Sequence, residues 1–315
     1  MSNNFTFSSY INLKLIEYLE NLEHGVFFGQ NVITGSRVSG LGAQIDSLGN
    51  ISSFNTQNSE NALFGMGFGL SIEEIPSIYL MKQHDFALLA IDHMVNTARL
   101  LKNHSNLTTF LVLMVVVDSG YEGPQSNLNN LDDLYSISQA KISLLNNKNA
   151  VDYAFSSKRK AFEIFAISQK SLKRALPIEE SLTIMDGFSV SDGLKAQENT
   201  EPVLVNCGLV NDVFESCVNY LLESGVKFQV ARQIDMNLEE NTQLMKKLAK
   251  AERKFVIFDS SKSINKLSIY FSDTLKEMNS RVLYLTRDDY AQWNRVDHDQ
   301  FEIENKAVLD FLVSR

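Results

Sequence analysis

Val203-Leu-Val-Asn-Cys207 is a short apolar run, and the pattern that follows it decides the fold. A helical period runs over Val213–Glu223, an apolar stretch over Val226–Ile234, a second helix over Leu238–Glu252, and a strand over Phe255–Phe258. A third helix spans Leu267–Met278 and a last strand Val282–Leu285. Apolar strands separated by helices of 11 to 15 residues predict βαβ units, hence a mainly parallel sheet covered on both faces.

Upstream, residues 168–200 hold Pro177, Gly187, Gly193 and several acidic residues without sustained periodicity, and read as an interdomain linker. Before them the same alternation recurs. Ile11, Leu15, Ile16, Leu19 and Leu22 lie at helical spacing behind Ser8 and Ser9, either of which suits a cap. Val26–Phe28 reads as a strand, residues 29–42 as a glycine-bearing loop, Asn61–Leu70 as a helix of small residues and Ser77–Leu80 as a strand. An amphipathic helix over Phe86–Leu101, a buried strand over Phe110–Val117, a helix from Leu131 to about Leu145 and a strand over Phe162–Ile167 complete this half. The chain is therefore expected to form two α/β domains with mainly parallel sheets.

Its 315 residues suit two domains. Hydrophobic residues make up 44% and charged residues 21%, which is ordinary globular usage. With 29 Lys and Arg against 38 Asp and Glu, a net charge of −9 and no basic stripe, nucleic acid is not an expected partner. The longest apolar run, Phe110–Val117, ends at Asp118, well short of the roughly 20 residues that span a bilayer. No secretory signal opens the sequence, so a cytoplasmic location is expected. Cys207 and Cys217 make neither a disulfide framework nor a zinc signature and are expected to be buried.

Most chemical motifs are absent. Gly40-Leu-Gly42 lacks the third glycine of a dinucleotide-binding fingerprint, and Gly65-Met-Gly67-Phe-Gly69 falls inside a helix, where small residues permit close packing. There is no Walker loop, zinc-protease motif or nucleophile elbow. Glu239, Glu240, Asp288 and Asp289 read as solvated charges. Among five histidines, His84 in Lys82-Gln83-His84-Asp85-Phe86 stands at a strand-to-helix junction, where parallel sheets place ligands. A solvent-exposed loop histidine is the alternative reading.

Two segments go further. Asn55-Thr-Gln-Asn-Ser59-Glu60-Asn61-Ala-Leu-Phe-Gly65-Met-Gly67, then Asp85-Phe86-Ala-Leu-Leu-Ala90-Ile-Asp92-His-Met-Val95-Asn96, resemble the thiamine-diphosphate enzymes. More narrowly, they resemble the beta subunit of the decarboxylase component of 2-oxo acid dehydrogenases and the matching half of transketolase. Phe27-Phe28-Gly29-Gln30-Asn31-Val32 resembles the family's first strand and loop, with Gln30 where an acidic residue is usual. Val203–Gly208, Gly225–Val230 and Lys254–Asp259 resemble its C-terminal domain. Order and spacing together carry the resemblance over nearly the whole chain.

The resemblance implies a pyrimidine-binding domain over residues 1–180 and a transketolase-type C-terminal domain over 181–315. Glu60 matches the catalytic glutamate, which hydrogen-bonds a pyrimidine ring nitrogen and favours the imino tautomer. That role requires a carboxyl in a dry pocket, where it can share a proton with a weakly basic nitrogen. Phe86 matches the aromatic residue stacked on the pyrimidine. Gln83 is expected beside the cofactor, and His84 and Ser126 on the substrate side.

Two departures shape the expected function. The Gly-Asp-Gly motif with a later Asn, which holds the diphosphate and Mg2+ in this family, is absent. An alpha-type partner chain is therefore expected to supply it, in a heterotetramer of two alpha-type and two beta-type chains. No metal ligand is expected on this chain. In Gly123-Pro-Gln-Ser126-Asn127, Ser126 replaces the usual His, so it supplies no base near neutral pH for acyl transfer to a lipoyl domain. The expected activity is cleavage of a 2-oxo acid and transfer of the fragment to an acceptor. A split transketolase and a non-catalytic assembly partner are the alternatives; Lys82 and Arg37 are the nearest basic candidates for a sugar phosphate.

Overall fold

The computed structural model describes residues 6–102, 106–118, 120, 123, 126, 128–157, 162–175, 182–195, 200–209, 212–287, 301 and 303–314. They divide into two compact units, residues 1–117 with 134–178, and residues 118–133 with 179–315. Each is built on a six-stranded sheet.

The first unit opens with α1 (Phe7–Glu20). Its cap is Thr6, one turn before the expected serines, whose Oγ1 accepts from Ser9 N at 3.2 Å. There follow β1 (Gly25–Gly29), β2 (Ile51–Asn55), α2 (Glu60–Ile72) and β3 (Ser77–Met81). The chain over residues 84–101 is helical as expected but not one α-helix. It is a 3-10 segment (His84–Ala90), a π turn (His93–Thr97) and a last turn, α3 (Ala98–Leu101). In the π turn, His93 Nδ1 and Thr97 Oγ1 lie 2.9 Å apart, and Gly65 leaves room for the His93 ring.

Next come β4 (Phe110–Val116), α4 (Leu131–Ser138), β5 (Lys141–Leu145), α5 (Lys148–Ser156) and β6 (Phe162–Ser168). The helix expected to reach Leu145 ends at Ser138, because Gln139 turns left-handed (φ +55°) and Lys141–Leu145 joins the sheet edge instead. All pairings are parallel, in the order β2-β1-β3-β4-β6-β5.

One face of this sheet packs Phe27, Leu80, Leu113 and Phe165 against α1 and α5. The other is aromatic. Phe64 and Phe68 of α2 meet Tyr79, Phe110 and Phe162 with ring centroids 5.1–6.1 Å apart. Such contacts need α2 to lie close to the sheet, and Gly67 allows it. A Cβ there would fall 2.3 Å from the Phe110 ring.

The second unit carries β7 (Leu182–Met185) and β8 (Phe188–Ser191), so the expected linker supplies two strands. Then follow β9 (Val203–Cys207), α6 (Asp212–Glu223), β10 (Gln229–Gln233), α7 (Leu238–Leu248), β11 (Lys254–Asp259), α8 (Lys266–Glu277), β12 (Arg281–Leu285) and α9 (Asn305–Val313). The order is β12-β11-β9-β10-β8-β7, parallel through the first four and antiparallel at β10-β8-β7. Helices α6 and α9 cover one face. Both cysteines are buried, and burial pushes the Cys217 thiol up to about 11. Pro177, Asp288 and Asp289 lie outside the described residues.

Residues 118–133 are bonded within the second unit. Asn129 Nδ2 donates to Ser260 O (3.2 Å), Lys262 Nζ to Gly120 O (2.7 Å) and Arg287 Nη2 to Asp118 O (3.1 Å).

Gly67→Ala sets two effects against each other. Helix propensity favours Ala by about 1 kcal/mol, but Phe110 is fully buried among Phe64, Phe68 and Phe162 and cannot step aside. The expected outcome is a net loss of about 1–3 kcal/mol in a denaturant titration; a gain would show that the helix does not sit this close to the sheet.

Candidate active site

Parallel strands end together. In β2, β1 and β3, Asn55 pairs with Gly29 and Gly29 with Leu80, so the chain leaves all three strands at one sheet edge. Gln30 follows β1, Ser59 and Glu60 follow β2, and Gln83, His84 and Phe86 follow β3. Four expected residues, Glu60, Gln83, His84 and Phe86, are thus brought to one end of one sheet.

The turn after β1 depends on Gly29, whose φ is +152° and whose added Cβ would lie 2.4 Å from the Leu80 carbonyl oxygen. Only glycine lets β1 stay in register with β3 and then turn away. Asn55 fixes the loop that follows: its Oδ1 accepts from Val32 N (2.8 Å) and Ile33 N (3.1 Å). Gln30 is thereby placed beside α2, where its Nε2 donates to Glu60 Oε1 at 3.4 Å.

Glu60 opens α2 and is 4% exposed, so the dry setting asked of it is present. Its place in the first helical turn suits a negative charge. Among the described residues its side chain accepts that single long hydrogen bond from Gln30. A buried carboxylate ordinarily takes more partners than one.

Beneath these residues runs an aromatic row that inspection of single segments misses. Phe54, Phe28 and Tyr79 occupy equivalent register positions in β2, β1 and β3. Phe28 stacks on Tyr79 at 5.2 Å and 4°, and on Phe54 at 6.1 Å and 14°. Tyr79 is buried, and burial together with the nearby Glu60 charge raises its hydroxyl well above the usual phenol range. The signal was one aromatic residue just before each strand end, visible only once the strands are paired.

Gln83 and His84 are both buried, which sets aside the exposed-loop reading of His84. Phe86 is half-buried, with Leu88 and Leu89 exposed after it. Ser126 belongs to the second unit, where its amide donates to Gly123 O at 3.1 Å. Arg37, considered for a sugar phosphate, is taken by Asp46 through both terminal nitrogens (2.6 and 3.0 Å). Lys82 is exposed. Among the described residues no group of three or more His, Cys, Asp or Glu side chains could hold a metal ion. No described helix is long and apolar enough to cross a membrane.

The fold is that of transketolase, as the resemblance implied. Campylobacter jejuni transketolase superposes with a TM-score of 0.59 at 15% identity, over 88% of this chain and 41% of that one. A 2-oxoglutarate:ferredoxin oxidoreductase from Magnetococcus marinus, solved with 2-oxoglutarate, coenzyme A and succinyl-CoA, gives 0.59 at 10%, over 89% and 61%. The chain therefore spans less than two thirds of either protein. No family model and no curated protein sequence matches it.

Replacing Gln30 by Glu tests the pairing with Glu60. Two carboxyl groups at this separation share a proton, so the folded variant binds more protons than the unfolded one and its stability falls as pH rises through the pair's titration. The unfolding free energy of Gln30→Glu, from denaturant titrations, is expected to approach wild type near pH 4 and to fall below it by pH 7–8, by on the order of 2 kcal/mol. Parallel pH profiles would show that the two side chains do not share the pocket.

Proposed function

We propose that this chain is the beta-type subunit of a heteromeric thiamine-diphosphate enzyme that cleaves a 2-oxo acid and passes the fragment to an acceptor. The observation that carries this reading is the buried Glu60 carboxylate, with one hydrogen bond of its own, at the sheet edge shared by Gln83 and Phe86. A ring nitrogen of an aminopyrimidine suits the partner that this carboxylate lacks. Thiamine diphosphate, when bound, supplies the nucleophilic carbon for cleavage next to a carbonyl.

The roles of the chain's own residues follow. Glu60 holds or releases a proton at Oε1 or Oε2 against the ring nitrogen, and exclusion of water strengthens that bond. Gln30 orients the carboxylate by donating to Oε1. Phe86 offers a flat face to the ring. Gln83 lies beside the cofactor, and His84 faces the substrate. Ser126 stands where the family carries a histidine, so the acceptor is a small molecule in preference to a lipoyl domain. The Gly-Asp-Gly motif with a later Asn, which holds a diphosphate and its Mg2+ in the family, is absent from this sequence. An alpha-type chain is proposed to provide it, in a heterotetramer.

A split transketolase is the second reading, and the transketolase fold favours it. Against it, Asp46 already engages Arg37, leaving exposed Lys82 to meet a sugar phosphate. A purely structural partner would have no use for a carboxylate kept buried with a single partner.

The test is Glu60→Ala in the complex purified with its partner. Turnover of 2-oxo acids is expected to fall by at least about three orders of magnitude, as loss of an essential proton-transfer group implies, with subunit stoichiometry unchanged. A variant complex of normal activity would remove Glu60 from the mechanism.

A further inference from the structure

The sheet of the first unit carries a cavity at its other end. At the amino ends of β4, β6 and β5, away from Glu60, a cavity of about 500 Å³ opens between the last turns of α2, α3 and the start of those strands. Glu60 and Ser71 stand at opposite ends of α2, about 17 Å apart at 1.5 Å per residue. The cavity is thus separate from the candidate active site.

Its lining has two chemistries. Phe68 and Phe162, with ring centroids 5.1 Å apart, and Leu101 and Leu107 form an apolar floor. Arg99, Lys102 and Lys141 supply three cations. Lys141 is balanced by Glu163, fully buried across the strand pair at 3.6 Å. Arg99 and Lys102 make no ion pair or side-chain hydrogen bond among the described residues, and no carboxylate lines the cavity. An apolar floor under two uncompensated cations complements an apolar body that ends in a negative charge.

We propose that this cavity binds a small organic anion, an aromatic ring or short branched chain bearing a carboxylate. The apolar body rests on the floor that the touching rings of Phe68 and Phe162 form, while Arg99 and Lys102 hold the carboxylate at the rim.

The probe is 3-phenylpropanoate, titrated into the 315-residue chain and followed by saturation-transfer NMR and calorimetry, with 3-phenylpropylamine as the charge-reversed control. Saturable binding of the acid is expected, with the amine at least about tenfold weaker. The exposed double change Arg99→Gln with Lys102→Gln is expected to weaken the acid about tenfold, the sum of two partly exposed ion pairs, without altering the melting temperature. Ala98→Trp, which fills the cavity, is expected to abolish binding. No saturation by the acid, equal binding of acid and amine, or undiminished affinity in the double variant would overturn the proposal. Glu60→Ala leaves the lining untouched and is expected to bind the probe like wild type, so this test is independent of the thiamine-diphosphate reading.

Discussion

The parallel pairing of β2, β1 and β3 is the constraint on which the candidate site rests. Its register stops the three strands level, Gly29 lets β1 pass where an added Cβ would lie 2.4 Å from the Leu80 carbonyl oxygen, and the residues that follow have one sheet edge to share. From this come the burial of Glu60, its bond to Gln30 and the aromatic row below them. Helix α2 ties this edge to the rest of the unit. Its first residue is Glu60, and its middle is drawn onto the sheet because Gly67 leaves Phe110 in place.

How much of this was legible in the sequence depended on burial. Strands covered on both faces, such as Phe110–Val116 and Val203–Cys207, read as continuous apolar runs and were found within a residue or two. The edge strand Ile51–Asn55 runs Ile, Ser, Ser, Phe, Asn and exposes most of its side chains, so no period marked it as a strand. Lys141–Leu145 read as the end of a helix because Ile142, Leu144 and Leu145 fit either period, and only the left-handed turn at Gln139 separates it from α4. The strands within residues 182–191 are four residues each, and their pairing in the second sheet defines them. Local pattern fails where neighbours from distant parts of the chain decide the structure.

The site followed the same rule. Glu60 and Phe86 were singled out through resemblance to a family and His84 by its place at a strand-to-helix junction, and the structure brings them with Gln83 to one sheet edge. Tyr79 was missed because its importance lies in pairing with Phe28 and proximity to Glu60, which no linear spacing encodes. Burial of His84 likewise depends on packing that a single segment does not reveal. On the proposed reading the site is half complete: the sequence lacks the Gly-Asp-Gly motif, and the described residues offer no group of three or more His, Cys, Asp or Glu for a metal ion.

That incompleteness makes the central claim directly measurable. The chain, tagged in its native host and purified gently, should bring down one stoichiometric second chain carrying a Gly-Asp-Gly motif and a later Asn, and the pair should contain thiamine diphosphate. Recovery of this chain alone, as a homodimer that binds no thiamine diphosphate, would contradict the account and leave a non-enzymatic member of the same fold.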